Sequence, residues 1–199
     1  MTKPVKFDPA RSWALAVIVL AVAYASSMVY FARGKWVLPL DDAYISLTYA
    51  RNLLAGYPFR FNLSDPMSTG ATSILYTWLL VPLCALLKGE KTLVIGIFAL
   101  NAVLLWIACR TTYSLARLCI QPRMAQACVF GILLSGPITW GYFCGLDTGL
   151  MVTLTLVFWY VWRKSIDEGA QYGWVPLVAI SSLLGLCRPE GAFLAPFWA

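Results

Sequence analysis

Long apolar runs with few charges constrain this chain more than any other feature. The run from Trp13 to Ala32 contains 20 residues without a charge, which is enough to cross a hydrocarbon core of about 30 Å. Further apolar segments follow at 71–87, 92–109, 124–143, 147–162 and 174–187, and another begins at 192. We therefore predict an all-α integral membrane protein, a polytopic helix bundle with about six spans.

The composition agrees with a membrane protein and excludes several functions. The chain is 60% hydrophobic and 12% charged, whereas about a quarter of the residues are charged in a soluble domain. The 15 Lys and Arg residues are scattered between apolar runs, so the net charge of +6 does not indicate nucleic-acid binding. Histidine is absent, which excludes Ser-His-Asp catalysis and histidine-based metal sites. The six cysteines lie singly and are interpreted as small hydrophobic residues.

The first apolar run has two interpretations. The stretch "AYAS" at 23–26 resembles a signal-peptide cleavage site, but the run continues to Phe31. We favour an uncleaved first transmembrane helix. Its basic N-terminal flank, with Lys3, Lys6 and Arg11, would then lie in the cytoplasm.

The longest polar stretch, 33–70, is the expected first external loop. Apolar residues at helical spacing between 43 and 55, ended by Gly56 and Pro58, predict an amphipathic helix along the membrane surface. The rest of the stretch is rich in turn-forming residues and is predicted to be an ordered loop. Residues 1–199 are interpreted as the N-terminal part of a single polytopic transmembrane domain.

Simple alternation of six spans conflicts with the distribution of basic residues. Against the preference of Lys and Arg for the cytoplasmic side, it places five basic residues outside: Arg110, Arg117, Arg123, Arg163 and Lys164. One extra or missing crossing between 71 and 110 would correct every later loop. It would also place the segments 140–147 and 188–191 on the side of Asp41.

Acidic residues that flank apolar segments are the functional candidates, since ionisable groups at that depth are seldom incidental. The adjacent Asp41 and Asp42 can be explained by capping of the following helix. Alternatively, capping is combined with catalysis, and one of them is also a general base or helps to hold a divalent metal, Mg or Mn, with Asp41 as the candidate ligand.

The remaining candidates form an anion-binding hypothesis. Arg188 would bind a phosphate and Glu190 would orient a hydroxyl, although the two could instead pair with each other. Asp147 could be an ordinary N-cap, and Arg60 could be a surface residue.

At these residues the chain resembles the GT-C membrane glycosyltransferases that use polyprenyl-phosphate sugars, a group that includes the mycobacterial terminal arabinofuranosyltransferases. The likeness lies in "DDAYISLTYARNLLAGYPFRFN" (41–62), "STGATSILYTWLLVPL" (68–83), "GLDTGL" (145–150) and "RPEG" (188–191). Two positions depart from that family: Thr48 stands where it usually has arginine, and Asp147 replaces the commoner glutamate.

The resemblance implies an inverting transfer of sugar to a glycan, lipid or protein acceptor of the cell envelope. It implies a bacterial plasma membrane, with the site on the extracytoplasmic side. Asp41 and Asp42 would be catalytic, and Arg188, Glu190, Arg60 and Asp147 would bind the donor phosphate or the sugar. A transporter and a non-catalytic or truncated membrane protein are the alternatives. A transporter would favour acids in mid-span and internal repeats, and the sequence shows neither.

Overall fold

The computed structural model describes residues 9–68, 70–168 and 174–198, which form helices and no strands. The predicted all-α class is therefore confirmed for these ranges. In chain order the helices are α1 (Pro9–Phe31), α2 (Asp42–Leu54), α3 (Ile74–Leu86), α4 (Glu90–Arg117), α5 (Pro122–Leu134), α6 (Gly136–Phe143), α7 (Thr148–Glu168) and α8 (Val175–Cys187), followed by a 3₁₀ helix, Pro189–Trp198. Lys3 and Lys6 of the predicted basic flank lie outside the described residues.

Two of these helices, α1 and α4, are long and apolar enough to cross a membrane, and α5 with α6 makes a third if the bent pair counts as one span. The helices α3 and α8 are apolar but have only 13 residues each, about 20 Å of helix. The described residues therefore support a membrane protein with two or three candidate spans. The six predicted spans coincide with helices, but their crossing stays a prediction.

Helices α1 and α4 run antiparallel and define the two ends of the bundle. At one end, the rings of Trp13 and Tyr113 lie 5.0 Å apart. We call this the lower end. At the other, Lys91 lies 5.4 Å from the centre of the Trp36 ring, and the start of α2 packs close by. We call this the upper end.

Helix α3 does not connect the two ends. The hydroxyl of Tyr76, near its start, lies 3.4 Å from the amide nitrogen of Asn101, and Leu87, just after its end, packs against Gly96. Both contacts are with the first half of α4, so α3 stays in the upper half of the bundle. A helix confined to one half agrees with the missing crossing that the distribution of basic residues predicts, although the crossings themselves stay a prediction.

A second departure from simple spans lies at Ser135. The sequence predicted one span over 124–143, but α5 and α6 meet at a bend of 61°. Pro137 explains the break, because its ring removes a backbone donor and clashes with the carbonyl four residues earlier. The backbone of Ser135 is accordingly extended, with φ −78° and ψ 105°.

Helix α2 agrees with the predicted amphipathic helix at 43–55. It packs along α3 and buries Ala43, Leu47, Tyr49 and Ala50. The loop behind it is ordered, as predicted: the Asn52 amide donates to the carbonyls of Arg60 and Phe61 at 2.9 and 2.8 Å.

The position of α3 predicts which loops share a side of the membrane. Cysteines placed at exposed Ser64 and Lys88 should show the same reactivity towards an impermeant maleimide in intact cells, because 62–65 and 88–91 belong to the upper end. The native Cys119, exposed after the end of α4, should show the opposite reactivity. Opposite reactivities of the cysteines at 64 and 88 would show that α3 crosses.

Candidate functional site

The two adjacent acids at the start of α2 have free carboxylates. Helix α2 begins directly after Asp41, but the backbone of Asp41 is itself helical (φ −61°, ψ −38°) and its side chain makes no capping hydrogen bond. Asp42 lies in the first turn, and both residues are exposed. The proposed capping explanation therefore fails for Asp41, while the helix dipole still favours the negative charge of Asp42.

The loop between α6 and α7 packs against this acidic start. Gly145 has φ +88°, and a Cβ atom added to it would lie 2.9 Å from the Cβ of Ala43 and 3.5 Å from Leu38. The Tyr76 hydroxyl donates to the Gly145 carbonyl at 3.2 Å. The loop is thus held from two sides, by the first turn of α2 and by a buried tyrosine of α3.

Asp147 and Arg188 form a bidentate ion pair that joins this loop to the end of α8. The Arg188 Nε and Nη2 atoms donate to the two carboxylate oxygens at 2.9 and 2.8 Å. The Asp147 side chain is 5% exposed and that of Arg188 is 36% exposed. The alternative pairing of Arg188 with Glu190 is therefore wrong. Asp147 does stand at the start of α7, where its carbonyl accepts from the Met151 N–H at 3.0 Å.

The ion pair orients Arg188 and occupies only some of the N–H groups of its guanidinium. A guanidinium carries five N–H groups, so three remain after the two bonds to Asp147. The hydrogen bonds to Asp147 raise the pKa of Arg188 above its ordinary value, which keeps the side chain cationic. A partly exposed arginine with a free edge suits the oxygens of a phosphate.

Arg188 and Glu190 line a cavity of about 550 Å³ between α2, α3, the end of α8 and the 58–72 loop. Such a volume is typical of a small-molecule site. The wall is largely apolar and aromatic, and includes Tyr49, Leu53, Phe59, Ile74, Trp78 and Leu186. The wall also contains the hydroxyl side chains of Ser68, Thr72 and Thr77, and both of its charged side chains, Arg188 and Glu190, lie together just after α8, at what we call the polar end.

Two motifs of the sequence build the wall of this cavity. The Tyr49 hydroxyl bonds to Ser68 Oγ at 2.8 Å and accepts from the Gly70 N–H at 3.2 Å, which ties the loop to α2. Ser73 caps α3 by accepting from the Tyr76 N–H at 3.1 Å. Its hydroxyl also lies 3.8 Å from Cys187 Sγ, beside Arg188.

The candidates from the sequence fall into three positions. Arg188 and Glu190 lie in the cavity wall. Asp147 lies behind Arg188, and the acids 41 and 42 lie about 10 Å along α2 from Tyr49. Arg60 is not part of this wall, and its guanidinium donates to the Leu63 carbonyl at 3.0 Å. The structure thus brings Asp147 and Arg188 together and leaves Arg60 in its own loop.

Sequence reasoning missed the residues that hold the site together. Asn101 is 1% exposed, and with Tyr76 it forms a buried polar contact beneath the Gly145 loop. A lone asparagine inside a 28-residue apolar helix was the available signal, because buried amides need partners.

Within the three described ranges, no three potential metal ligands (Asp, Glu, Cys or His) lie close enough together to hold an ion. Asp41 and Asp42 offer two adjacent carboxylates. Mg²⁺ is often bound by one or two carboxylates with substrate phosphate oxygens. The acids fit such a shared site but do not form a complete one.

Comparisons with protein-family models, curated proteins and solved structures give no match to this chain.

Loss of the ion pair should weaken the fold measurably. We expect Asp147→Asn to lower the free energy of unfolding by about 1–3 kcal/mol, because Arg188 would lose its partner in a half-buried position. The matched control is Asp167→Asn, which breaks the more exposed Arg163–Asp167 pair and should cost under about 1 kcal/mol. Equal shifts in thermal or denaturant unfolding in detergent would contradict a special role for the Asp147 pair.

The close approach at Gly145 should be detectable by a compensating substitution. Gly145→Ala adds a methyl group against Ala43 and forces an L-residue to a positive φ, so we expect a lower melting temperature. Ala43→Gly in the same chain removes the clash but not the φ strain, and should restore only part of the loss. Full additivity of the two substitutions would show that the two residues are not in contact.

Proposed function

We propose that this protein is a GT-C-type glycosyltransferase that transfers a sugar from a polyprenyl-phosphate donor to a cell-envelope glycan, lipid or protein. The observation that carries the proposal is the oriented Arg188 at the polar end of an apolar cavity. The motif resemblance supplies the reaction class, and the geometry supplies a place for an anionic phosphate attached to an apolar chain.

For this reaction the protein must stabilise the charge on the leaving phosphate and align the acceptor with the anomeric carbon. The acceptor oxygen forms a bond to the anomeric carbon while the bond from that carbon to the phosphate oxygen breaks, and the electron pair leaves with the phosphate. The free edge of Arg188 would stabilise the negative charge that develops there. Attack from the opposite face would invert the anomeric configuration.

A base is also required, since the acceptor hydroxyl must lose its proton. Asp41 is our candidate because its carboxylate is exposed and takes no part in capping. Asp42 would support it at the positive end of α2. The contact of Gly145 with Ala43 keeps these acids next to the segment that carries Asp147. A bound Mg²⁺ or Mn²⁺ would supply Lewis-acid charge at the same carboxylates.

We propose that the upper end faces the extracytoplasmic side of a bacterial plasma membrane and that the chain crosses it several times. The supporting observation is the position of two arginines of the long helix α4. Arg110 and Arg117 lie in the last third of α4, towards the lower end. Positive residues favour the cytoplasmic side.

The decisive experiment is sugar transfer from a panel of polyprenyl-phosphate sugars in membranes that contain the protein. We expect Asp41→Asn to reduce the transfer rate by about 100-fold or more, as for loss of a general base. Asp42→Asn should have a smaller effect. Glu90→Gln is the matched control, because Glu90 is also an exposed acid in the first turn of a helix.

Two outcomes would count against the proposal. Wild-type rates for Asp41→Asn would remove Asp41 as the base while leaving the reaction class intact. Absence of transfer from every donor by the wild-type protein would remove the reaction class itself.

A further inference from the structure

The polar end of the cavity contains more negative than positive charge. In the described part of the chain, the cavity wall contains two charged side chains, Arg188 and Glu190. The single positive charge is already matched by Asp147, which holds it at 2.8 Å. Counting Arg188, Asp147 and Glu190 together gives one net negative charge.

This balance bears on which phosphate the cavity accepts. Three N–H groups of Arg188 remain for hydrogen bonds, so one phosphate group can be recognised by geometry. Each further negative charge on that phosphate, however, lies near the carboxylate of Glu190 in the wall and near that of Asp147 behind Arg188. Like charges repel more strongly beside the 5% exposed Asp147 than they do in water, and less strongly at Glu190, which is exposed to solvent.

We propose that the cavity selects a phosphodiester, which carries one negative charge, over a phosphomonoester, which carries about −1.5 to −2 at neutral pH. The apolar wall, with Phe59, Trp78 and Leu186, restricts the ligand further to an amphiphile with a hydrocarbon chain. The assignment of the diester to a sugar donor rests on the proposed function. The charge preference itself rests on the three side chains.

The preference has a direct consequence for turnover. A lipid-linked phosphodiester donor becomes a phosphomonoester when its sugar leaves. The spent lipid phosphate therefore gains negative charge in a cavity that already has one net negative charge. Repulsion by Glu190 and Asp147 would then favour release of the product over its rebinding.

The test measures binding to the full-length wild-type protein in neutral detergent at pH 8, by calorimetry. The ligands are farnesyl methyl phosphate as the diester, farnesyl phosphate as the monoester, and dimethyl phosphate as a diester without a long chain. We expect the farnesyl diester to bind about tenfold more tightly than the monoester, and dimethyl phosphate to bind much more weakly than both.

Glu190→Gln distinguishes selection by charge from selection by shape. It removes one negative charge with little change in size, so it should strengthen monoester binding and reduce the preference severalfold. Glu90→Gln should leave the preference unchanged, because Glu90 lies outside this cavity wall. A monoester that binds the wild type as tightly as the diester would overturn the proposal, as would equal effects of the two substitutions. Dimethyl phosphate that binds as tightly as the farnesyl diester would overturn the requirement for an amphiphile.

These measurements need no sugar and no acceptor. A clear diester preference without any sugar transfer would leave the charge inference standing and reject the proposed function. Sugar transfer without a diester preference would support the proposed function and reject the charge inference.

Discussion

The ion pair between Asp147 and Arg188 is the interaction on which the upper end of the bundle depends. It joins the start of α7 to the end of α8, two points 41 residues apart in the chain. Because the Asp147 side chain is 5% exposed, its charge would be costly without a partner. The pair thus fixes the distance between these helix ends and, through Gly145, their relation to α2. The pair also holds Arg188 at its place in the cavity wall.

The positions of the helices could be predicted because a bilayer demands long uncharged runs with internally satisfied backbone groups. The ends near 87, 143 and 187 follow from the same rule, whereas the helix at 43–55 could be predicted from the helical spacing of its apolar residues. Length alone did not reveal which helices reach both ends of the bundle. The 13-residue α3 lies in an apolar segment of 17 residues, and only its contacts with Asn101 and Gly96 show that it stays in one half. The bend at Ser135 could have been inferred from Pro137.

The candidate site was predictable in its members but not in its pairings. Charged residues beside apolar runs are conspicuous, so the sequence identifies Asp147, Arg188 and Glu190. In the chain, Arg188 lies two residues from Glu190 and 41 residues from Asp147. Distance along the sequence therefore favours an ion pair with Glu190, whereas the structure pairs Arg188 with Asp147. The fold brings Asp147 closer because α7 begins and α8 ends at the same end of the bundle. Arg60 was a candidate by charge alone, and a nearby carbonyl holds it in its own loop.

The short α3 places a special demand on the residue before it. Helices that begin at a surface can leave their first N–H groups to water. This one begins among packed side chains, where Ser73 is 0% exposed and solvent cannot supply an acceptor. The hydroxyl of Ser73 takes over that task for the Tyr76 N–H. The serine of the Thr-Ser pair ahead of the apolar segment therefore supplies the acceptor that water would otherwise provide, for a helix that starts inside the protein.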